Sequence, residues 1–394
     1  MNATWIRNVE LICPGERISA GSLLIADGKI AQLNPSQEDC PPDAEIVEGG
    51  GRQLSPGLID LHTHGIHRFQ YEMGPDDVRA AAKLLGGYGT TCILPTIVPN
   101  LKPDFLRRLE RIAESLPSIT EVAIPGLHLE GPFMMLPGAA CSTVPGDVKL
   151  LEELIEACHG KIRAMSLSPD VPNILPVIEQ LVARGITPFM THTRATVEQT
   201  EAAIEAGARH ATHFYDVFPC PEETDLGVRP VGAVEAILAD RRVSVDFVGD
   251  GCHVHPVAIR ATLAAKGYAE IVLITDSSIG AGLPPGEYQT PWGYAVRVRE
   301  GDAARIADSS HPLAGALAGS ALTMNKGIAN LLAWLELPSE QVWAMGTRNP
   351  ARVIGEDRKG VIRVGVDADL VLWGEAFKPL KTWVAGQCIY EANR

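Results

Sequence analysis

The sequence predicts a (β/α)8 TIM-like barrel, formed by residues 54–354, and a small β-sandwich built from both chain ends, residues 1–53 and 355–394. Eight apolar or β-branched runs alternate with amphipathic runs in the barrel segment, which is typical of this fold. No G-x-G-x-x-G follows the first run and no Walker motif occurs, which disfavours an open doubly wound sheet. Short strand patterns recur at both ends, and neither end alone is long enough to bury a core.

The N-terminal part of the predicted sandwich contains short strand patterns and a hairpin signal at Asp27-Gly28. Residues 360–394 repeat the same kind of pattern, with a hairpin signal at Ala385-Gly386. We therefore expect the two ends of the chain to pair with each other beside the barrel.

The barrel segment contains eight strand candidates: LSPGLIDLH (54–62), TTCILPT (90–96), VAIPGLHLE (122–130), IRAMSLS (162–168), TPFMTH (187–192), ARHATHF (208–214), VSVDFVG (243–249) and EIVLITD (270–276). Amphipathic runs lie between them: 75–89, 103–116, 147–158, 171–185, 196–207, 230–240 and 255–267. Several of these runs begin with Pro, Asp or Thr and some end at Gly, which are helix boundary signals. Strand and helix therefore alternate as a parallel barrel requires.

A hairpin signal interrupts the alternation after the eighth strand, within residues 284–310. The stretch YAVRVREGDAARIA reads as two strands that turn at Glu300–Asp302, and a last helical run extends from Gly319 to about Leu335. An insertion at the carboxyl end of a barrel strand is expected to lie near an active site.

Composition and charge restrict the class of function. The 394 residues are 46% hydrophobic and 21% charged, as in ordinary globular proteins. The formal net charge of −14, without a concentrated basic patch, predicts that the protein has no nucleic-acid partner. Neither a secretory signal pattern nor the ~18 apolar residues of a membrane span is visible, and the eight cysteines form no C-x-x-C. We expect a cytoplasmic protein without membrane contact.

Histidines and carboxylates occupy the carboxyl ends of the predicted strands. His62 and His64 share one face of the first strand because strand side chains alternate with a period of two. Four more residues of this kind end other strands: Glu130 the third, His192 the fifth, His213 the sixth and Asp276 the eighth. Because the carboxyl ends of barrel strands meet at one rim, we expect these six side chains to converge there.

The number and type of these side chains predict one or two divalent metal ions. Imidazole and carboxylate groups suit zinc, with iron, manganese and cobalt as alternatives. We assign His62 and His64 to one ion, His192 and His213 to the other, and Glu130 to a bridge between them.

Asp276 is expected to work as the base and acid of the reaction. A carboxylate beside the metal can accept a proton from the attacking water and then pass it to a leaving amine. The structural alternative is that Asp276 caps a helix after ITDSS.

Other polar residues are expected to surround this site. His253, in GDGCHVHP after the seventh strand, and Arg229, in the loop after the sixth, are candidates for contact with the substrate. We expect His128 to support the ligands from one layer deeper and His210 to face the helices.

The chain contains PGLIDLHTHG, GLHLEGPF, THTRAT, ATHFY, DGCHV, ITDSS, LAGSALTM and NPARVIG followed by KGVIRVGVDADLVLW, in this order. These motifs resemble the amidohydrolase superfamily and, within it, the N-acetylglucosamine-6-phosphate deacetylase family, over nearly the whole chain. The resemblance implies a metal-dependent barrel with a β-sandwich, assembled as a homodimer, that removes acetyl from the 2-amino group of a phosphorylated sugar. It also implies roles for residues at matching positions: metal binding and catalysis for Glu130, His192, His213 and Asp276, a second metal for His62 and His64, and sugar phosphate contact for His253 and Arg229.

Three places depart from the family pattern. Cys141 or Ser142, in PGAACS, stands where the family usually has a histidine. Asp216-Val217 replaces the usual Asn-Ala, and Arg194 replaces the usual Asn. We expect Cys141, Asp216, Val217 and Arg194 to lie in the layer that reads the substrate, with Arg194 paired to Asp216 because a cation would offset the new carboxylate.

The sequence therefore predicts a metal-dependent amide hydrolase that deacetylates an amino sugar phosphate such as N-acetylglucosamine 6-phosphate. The departures keep open an amidohydrolase that acts on a different C–N bond, in an N-acyl amino acid, a cyclic amide or a deaminase-type substrate. A non-catalytic binding scaffold is the third hypothesis, and the complete ligand set disfavours it.

Overall fold

The computed structural model describes residues 3–13, 16–138 and 141–393. The first four strands are β1 (Thr4–Cys13), β2 (Glu16–Ala26), β3 (Lys29–Leu33) and β4 (Glu45–Pro56). β1 pairs antiparallel with β2 and parallel with β4. Asp27 and Gly28 form the two-residue turn between β2 and β3 with φ of 51° and 76°, so the predicted hairpin is present.

Eight parallel strands form the barrel, and a short two-stranded pair follows the first of them. The strands are β5 (Leu58–Thr63), the pair β6 (Gly65–Ile66) and β7 (Phe69–Gln70), β8 (Thr90–Ile97), β9 (Leu127–Glu130), β10 (Ile162–Leu167), β11 (Thr187–Met190), β12 (His210–Ala211), β13 (Ser244–Val248) and β14 (Ile271–Ile274). The two edges meet where the Asp276 N–H donates to the His62 carbonyl (2.8 Å) and the His64 N–H donates to the Ser277 carbonyl (2.7 Å). Each of the eight predicted barrel strands is confirmed.

Helices follow the barrel strands and surround the sheet: α1 (Pro75–Leu85), α2 (Phe105–Ser115), α3 (Val148–Ala157), α4 (Ile174–Ala183), α5 (Val197–Ala206), α6 (Ala233–Ala239), α7 (Pro256–Lys266), α8 (Met324–Trp334), α9 (Ser339–Met345) and α10 (Arg348–Val353). Local sequence sets several of their ends. Asp147 caps α3 by accepting from two backbone N–H groups, and Thr196 with Gln199 forms a capping box at α5. Within the described residues, no helix is long and apolar enough to cross a membrane.

The predicted insertion is a three-stranded antiparallel sheet: β15 (Gly286–Gln289), β16 (Ala295–Val298) and β17 (Arg305–Ile306). Its apolar residues, with Ile279 and Ala318, form a small separate core. The insertion therefore packs as its own layer over the end of the barrel.

The C-terminal strands β18 (Leu370–Trp373), β19 (Pro379–Val384) and β20 (Gln387–Glu391) join the N-terminal strands. β18 pairs antiparallel with β4, which gives one seven-stranded sheet in the order β20-β19-β18-β4-β1-β2-β3. A second hydrophobic core draws on both ends of the chain, for example Leu11 and Ile25 with Leu370 and Trp383. The barrel with a sheet built from both ends confirms the predicted fold class.

Candidate metal centre

The first group of ligand-type side chains lies at the end of β5 and β9. His62 Nε2 is 3.2 Å from His64 Nε2. The same two nitrogens lie 3.7 Å and 3.3 Å from Glu130 Oε2. These three buried residues form a compact set of potential metal ligands, with their ligand atoms within 4.8 Å of one another.

The second group shares Glu130 and adds the histidines that follow β11 and β12. Glu130 Oε1 is 3.3 Å from His192 Nε2 and 3.2 Å from His213 Nε2. One carboxylate oxygen of Glu130 thus faces each pair of histidines. This geometry is the one expected of a carboxylate that bridges two metal ions.

Charge balance within the cluster fits divalent cations. Burial alone would lower the pKa of His64 and His213, but hydrogen bonds and the negative charges of Glu130 and Asp276 raise both values to about 10. Burial would raise the pKa of Glu130, yet the surrounding histidines hold it well below its usual range. The two carboxylates are therefore stabilised by positive charge nearby. Protons on the histidines would supply this charge, and so would metal ions bound to neutral imidazoles.

Asp276 lies beside the first group, two residues beyond the end of β14. Its Oδ1 is 3.3 Å from His64 Nε2 and 3.7 Å from His62 Nε2. Burial would raise the pKa of this carboxyl, but the hydrogen bond from His64 and the charges of His62, His64 and His253 lower it to about 2. The helix-cap alternative is wrong, because the next α-helix begins at Met324.

Backbone strain accompanies three of these side chains. His192, His213 and Asp276 have φ values of 48°, 34° and 48°, in the left-handed region that non-glycine residues rarely adopt. Such conformations persist where surrounding contacts enforce them, and they often occur at functional sites. In each case the left-handed residue lies two positions beyond the last residue of a barrel strand, where strand alternation no longer sets the side-chain direction.

A cavity of about 420 Å³ opens above the cluster. Its outer wall is largely apolar and comes mostly from the insertion and the loop after it: Trp292, Tyr294, Ile306, Leu313, Leu317 and Ala318. Among the described residues that line it, four are histidines, and neither Lys nor Arg occurs. A substrate in this cavity would meet metal ligands at one end and apolar side chains at the other.

Four of the residues predicted to contact the substrate line this cavity: Cys141, Asp216, Val217 and His253. The Cys141 thiol donates to the Glu130 carbonyl at 3.3 Å, which places it beside the residue shared by both groups. His253 Nδ1 lies 2.7 Å from Asp250 Oδ2, and this contact, despite burial, raises the pKa of His253.

Arg194 and Arg229 line a different cavity, of about 140 Å³, on the other side of the 213–218 loop. Arg229 is 72% exposed and pairs with Glu235 at 2.7 Å. The expected pair of Arg194 with Asp216 is wrong for this structure, because in the described part of the chain no ion pair joins them. The loop turns the two side chains into separate cavities.

The polar layer below the cluster contains residues that the sequence reading missed or misplaced. His128 lies there as expected, with Nδ1 2.9 Å from the Leu61 carbonyl and Nε2 2.7 Å from Ser166 Oγ. The expectation that His210 faces the helices is wrong: it packs against Phe189 and lies 2.8 Å from Asp246. The prediction assumed that side chains alternate without interruption from His210 to His213. The left-handed backbone at His213 breaks this alternation.

Asp246 and Thr212 were not predicted at all. Both are fully buried, and Thr212 Oγ1 lies 3.0 Å from His62 Nδ1. The available signal was a single carboxylate inside the apolar run VSVDFVG, because an unpaired buried charge is costly.

The chain is similar to known proteins over most of its length. The model of the amidohydrolase family matches residues 54–389. N-acetylglucosamine-6-phosphate deacetylase of Bacillus subtilis (strain 168) is 30% identical over 383 residues, which cover 93% of this chain and 92% of the relative. N-acetylgalactosamine-6-phosphate deacetylase of Escherichia coli O157:H7 is 30% identical over 372 residues, 93% of each chain. The crystal structure of N-acetylglucosamine-6-phosphate deacetylase from Pasteurella multocida shares the fold, with a TM-score of 0.87 and 24% identity. The match covers 99% of this chain and 100% of the solved chain.

Proposed function

This chain belongs to the amidohydrolase family, and from that premise we propose that it deacetylates an N-acetylated amino sugar phosphate such as N-acetylglucosamine 6-phosphate. It is then a metal-dependent enzyme that hydrolyses a linear amide. The observation that carries the proposal is the pair of three-ligand groups that share Glu130, with the Asp276 carboxylate beside one of them. The deacetylases named above, which resemble this chain over more than nine-tenths of its length, support the choice of substrate.

The ligand set suits a divalent ion in each group, held by His62, His64 and Glu130 and by His192, His213 and Glu130. An ion bound there supplies Lewis-acid stabilisation of the acetyl carbonyl and makes a water easier to deprotonate. We propose zinc, with iron, manganese and cobalt as the alternatives that elemental analysis distinguishes.

Asp276 handles the proton in this proposal. Its low pKa keeps the carboxylate ionised at neutral pH, ready to accept a proton from the water that attacks the acetyl carbon. The protonated Asp276 then returns that proton to the amine nitrogen as the C–N bond breaks. His253, whose pKa the contact with Asp250 raises despite burial, offers a donor on the cavity wall for an anionic part of the substrate.

The proposal also covers the oligomeric state of the protein and its cellular compartment. Three apolar side chains are exposed on the loop between β12 and α6: Leu226 (99%), Val228 (57%) and Val231 (55%). Their exposure supports a homodimer in which a second copy covers this loop. We place the protein in the cytoplasm, where its cysteines would stay reduced.

Steady-state rates on metal-reconstituted protein test the proposed substrate. The panel contains N-acetylglucosamine 6-phosphate, N-acetylgalactosamine 6-phosphate, the two unphosphorylated sugars and an N-acetyl amino acid. We expect the highest kcat/KM for one of the acetamido sugar phosphates. No turnover of any acetamido sugar by protein that contains metal would exclude the proposal. Failure to bind metal under any reconstitution condition would favour the scaffold hypothesis.

The cavity lining favours a second candidate, an amidohydrolase that acts on a different C–N bond. Asp216 faces the cavity, and no Lys or Arg among the described lining residues offsets it. A carboxylate in a site without a strong cation disfavours a phosphate dianion. Faster turnover of a neutral N-acyl amide or a cyclic amide than of every sugar phosphate in the panel would support this candidate.

A further inference from the structure

We propose that Asp246 and Thr212 are positioning residues that fix the tautomer and orientation of His62 and the backbone of His213, and so tie the two metal groups together. The proposal rests on the metal site of the proposed function, but it does not depend on which amide is hydrolysed. It is carried by a continuous set of buried hydrogen bonds between β12, β13 and β5.

Asp246 is a fully buried carboxylate on β13, and all its partners come from the segment around β12. The Thr212 hydroxyl donates to its two oxygens at 3.1 Å and 2.9 Å. His210 Nε2 donates to Oδ2 at 2.8 Å, and the backbone N–H of His213 donates to Oδ1. A buried carboxylate with this many donors is held in one orientation, since turning it away would leave these donors without an acceptor.

The Thr212 hydroxyl determines which nitrogen of His62 carries the proton. A hydroxyl has one hydrogen, and here it points to Asp246, so the oxygen is left to accept. His62 Nδ1, 3.0 Å from that oxygen, must then be the protonated nitrogen. This leaves a lone pair on Nε2, the atom that faces His64 and Glu130, as metal ligation requires.

Asp246 also acts on the second group through the main chain. Its hydrogen bond with the His213 N–H holds a residue whose φ is 34°, a conformation that would relax without support. That backbone places the His213 ring against Glu130 Oε1. Thr212 therefore orients a ligand of the His62 group alone, whereas Asp246 supports ligands of both groups.

The first test replaces Thr212 with valine, which keeps the shape of the side chain and removes the hydroxyl. We expect the affinity of one metal ion to fall by about 10- to 100-fold while the other ion binds as in the wild type. Competition titration with a chelator gives the two affinities, and the absorption spectrum of the cobalt-loaded protein reports the changed coordination. Thr212→Ser, which restores the hydroxyl, should recover both the affinity and the spectrum.

The matched control is Thr200→Val. Thr200 is also fully buried, but it lies on α5, where its hydroxyl donates to the Thr196 carbonyl (2.8 Å) and not to a residue of the cluster. This variant loses the same atoms and should bind both ions with wild-type affinity.

Asp246→Asn extends the test to both groups. An amide replaces one acceptor oxygen with a donor, so we expect both ions to bind more weakly and the cobalt spectrum to change at both sites. Thr212→Val keeps the proposal falsifiable if Asp246→Asn fails to fold. Wild-type affinities and an unchanged spectrum in Thr212→Val would overturn the proposal. Metal-loaded wild type that hydrolyses no acetamido sugar would instead overturn the proposed function.

Discussion

At the residue scale, Glu130 organises the site because its two oxygens face different pairs of histidines. Oε2 lies nearest to His64, and Oε1 lies nearest to His192 and His213. Among the ion pairs of the described residues, Asp276 contacts the two histidines of the first group. We therefore propose different roles for the two carboxylates: Glu130 would bridge two metal ions, and Asp276 would exchange protons.

Replacing Asp276 with asparagine tests its role in proton transfer. The amide keeps the size of the side chain but cannot accept the proton of the attacking water, so kcat should fall by about 10²- to 10⁴-fold. Metal content should stay at the wild-type value, because five other ligands remain. Activity close to that of the wild type would remove Asp276 from the mechanism.

Replacing Asp216 tests whether the cavity selects substrates by their charge. In Asp216→Asn the repulsion of a phosphate group disappears, so the ratio of kcat/KM for N-acetylglucosamine 6-phosphate to that for N-acetylglucosamine should rise about tenfold. Asp225→Asn removes the same charge from an exposed position farther along the same loop and serves as control. An unchanged ratio in Asp216→Asn would show that Asp216 does not face the phosphate.

Metal affinity should depend on pH through His64 and His213. Both have a pKa of about 10, so below that pH each holds a proton that a metal ion must displace. Affinity should therefore rise with pH between 6 and 9, by up to about tenfold per unit for each displaced proton. Calorimetry in buffers of different ionisation enthalpy counts the released protons, and the absence of proton release would contradict this assignment.

At the element scale, the insertion β15–β17 supplies most of the cavity wall opposite the metal ligands. Trp292, in the turn between β15 and β16, lines the cavity and donates from Nε1 to Glu72 Oε1 at 2.6 Å. Glu72 is only 7% exposed, and burial raises the pKa of its carboxyl. This hydrogen bond joins the insertion to the segment that follows β7, so the wall is fixed to the barrel.

Trp292→Phe removes the donor and leaves the buried Glu72 carboxylate unsatisfied. We expect a loss of about 1–3 kcal/mol in the free energy of unfolding, measured by urea denaturation. Tyr294→Phe is the matched control, because in the described residues the buried Tyr294 hydroxyl has no hydrogen-bond partner. The control should change stability by less than about 0.5 kcal/mol. Equal losses in the two variants would contradict the assigned role of the Trp292–Glu72 bond.

At the scale of the whole molecule, a buried ion pair lies where the C-terminal segment meets the entry to the barrel. Lys359 Nζ lies 2.7 Å from Asp369 Oδ2, and the two side chains are 12% and 4% exposed. Asp369 also accepts from the Ala385 N–H at the last hairpin, and its carbonyl accepts from the Gly57 N–H before β5. One residue thus contacts the C-terminal turn and the entry to the barrel.

Asp369→Asn should lower the free energy of unfolding by up to about 3 kcal/mol, because the buried Lys359 would keep only its longer contact with Asp367 (3.5 Å). The negative charges of Asp369 and Asp367 raise the pKa of Lys359 despite burial. This contribution is therefore complete below the unfolded-state pKa of about 10.5 and is lost only as the pH rises above it. Glu287→Gln, in the exposed pair with Arg297, should change stability by less than about 1 kcal/mol. A similar effect of the two substitutions would exclude a special role for the buried pair.

Much of the fold and of the ligand set was predictable because each depends on local pattern. The eight strands and both end hairpins follow from apolar runs and turn residues, whose preferences act within a few residues. The six ligand-type side chains were found because each one ends a parallel strand, and such ends meet at a common rim. His210 was misplaced because the alternation on which its prediction relied fails at the left-handed residue His213.

By itself, the sequence determined the barrel, the sheet shared by both chain ends, and which side chains gather at the rim. Only the tertiary structure decided that Glu130 divides its oxygens between two groups, that Asp246 and Thr212 orient His62 from below, and that Arg194 and Arg229 lie outside the cavity. The physical reason is that strand and turn signals act over short distances along the chain. Side-chain direction in loops and hydrogen bonds between strands 34 to 150 residues apart depend instead on how the whole barrel closes.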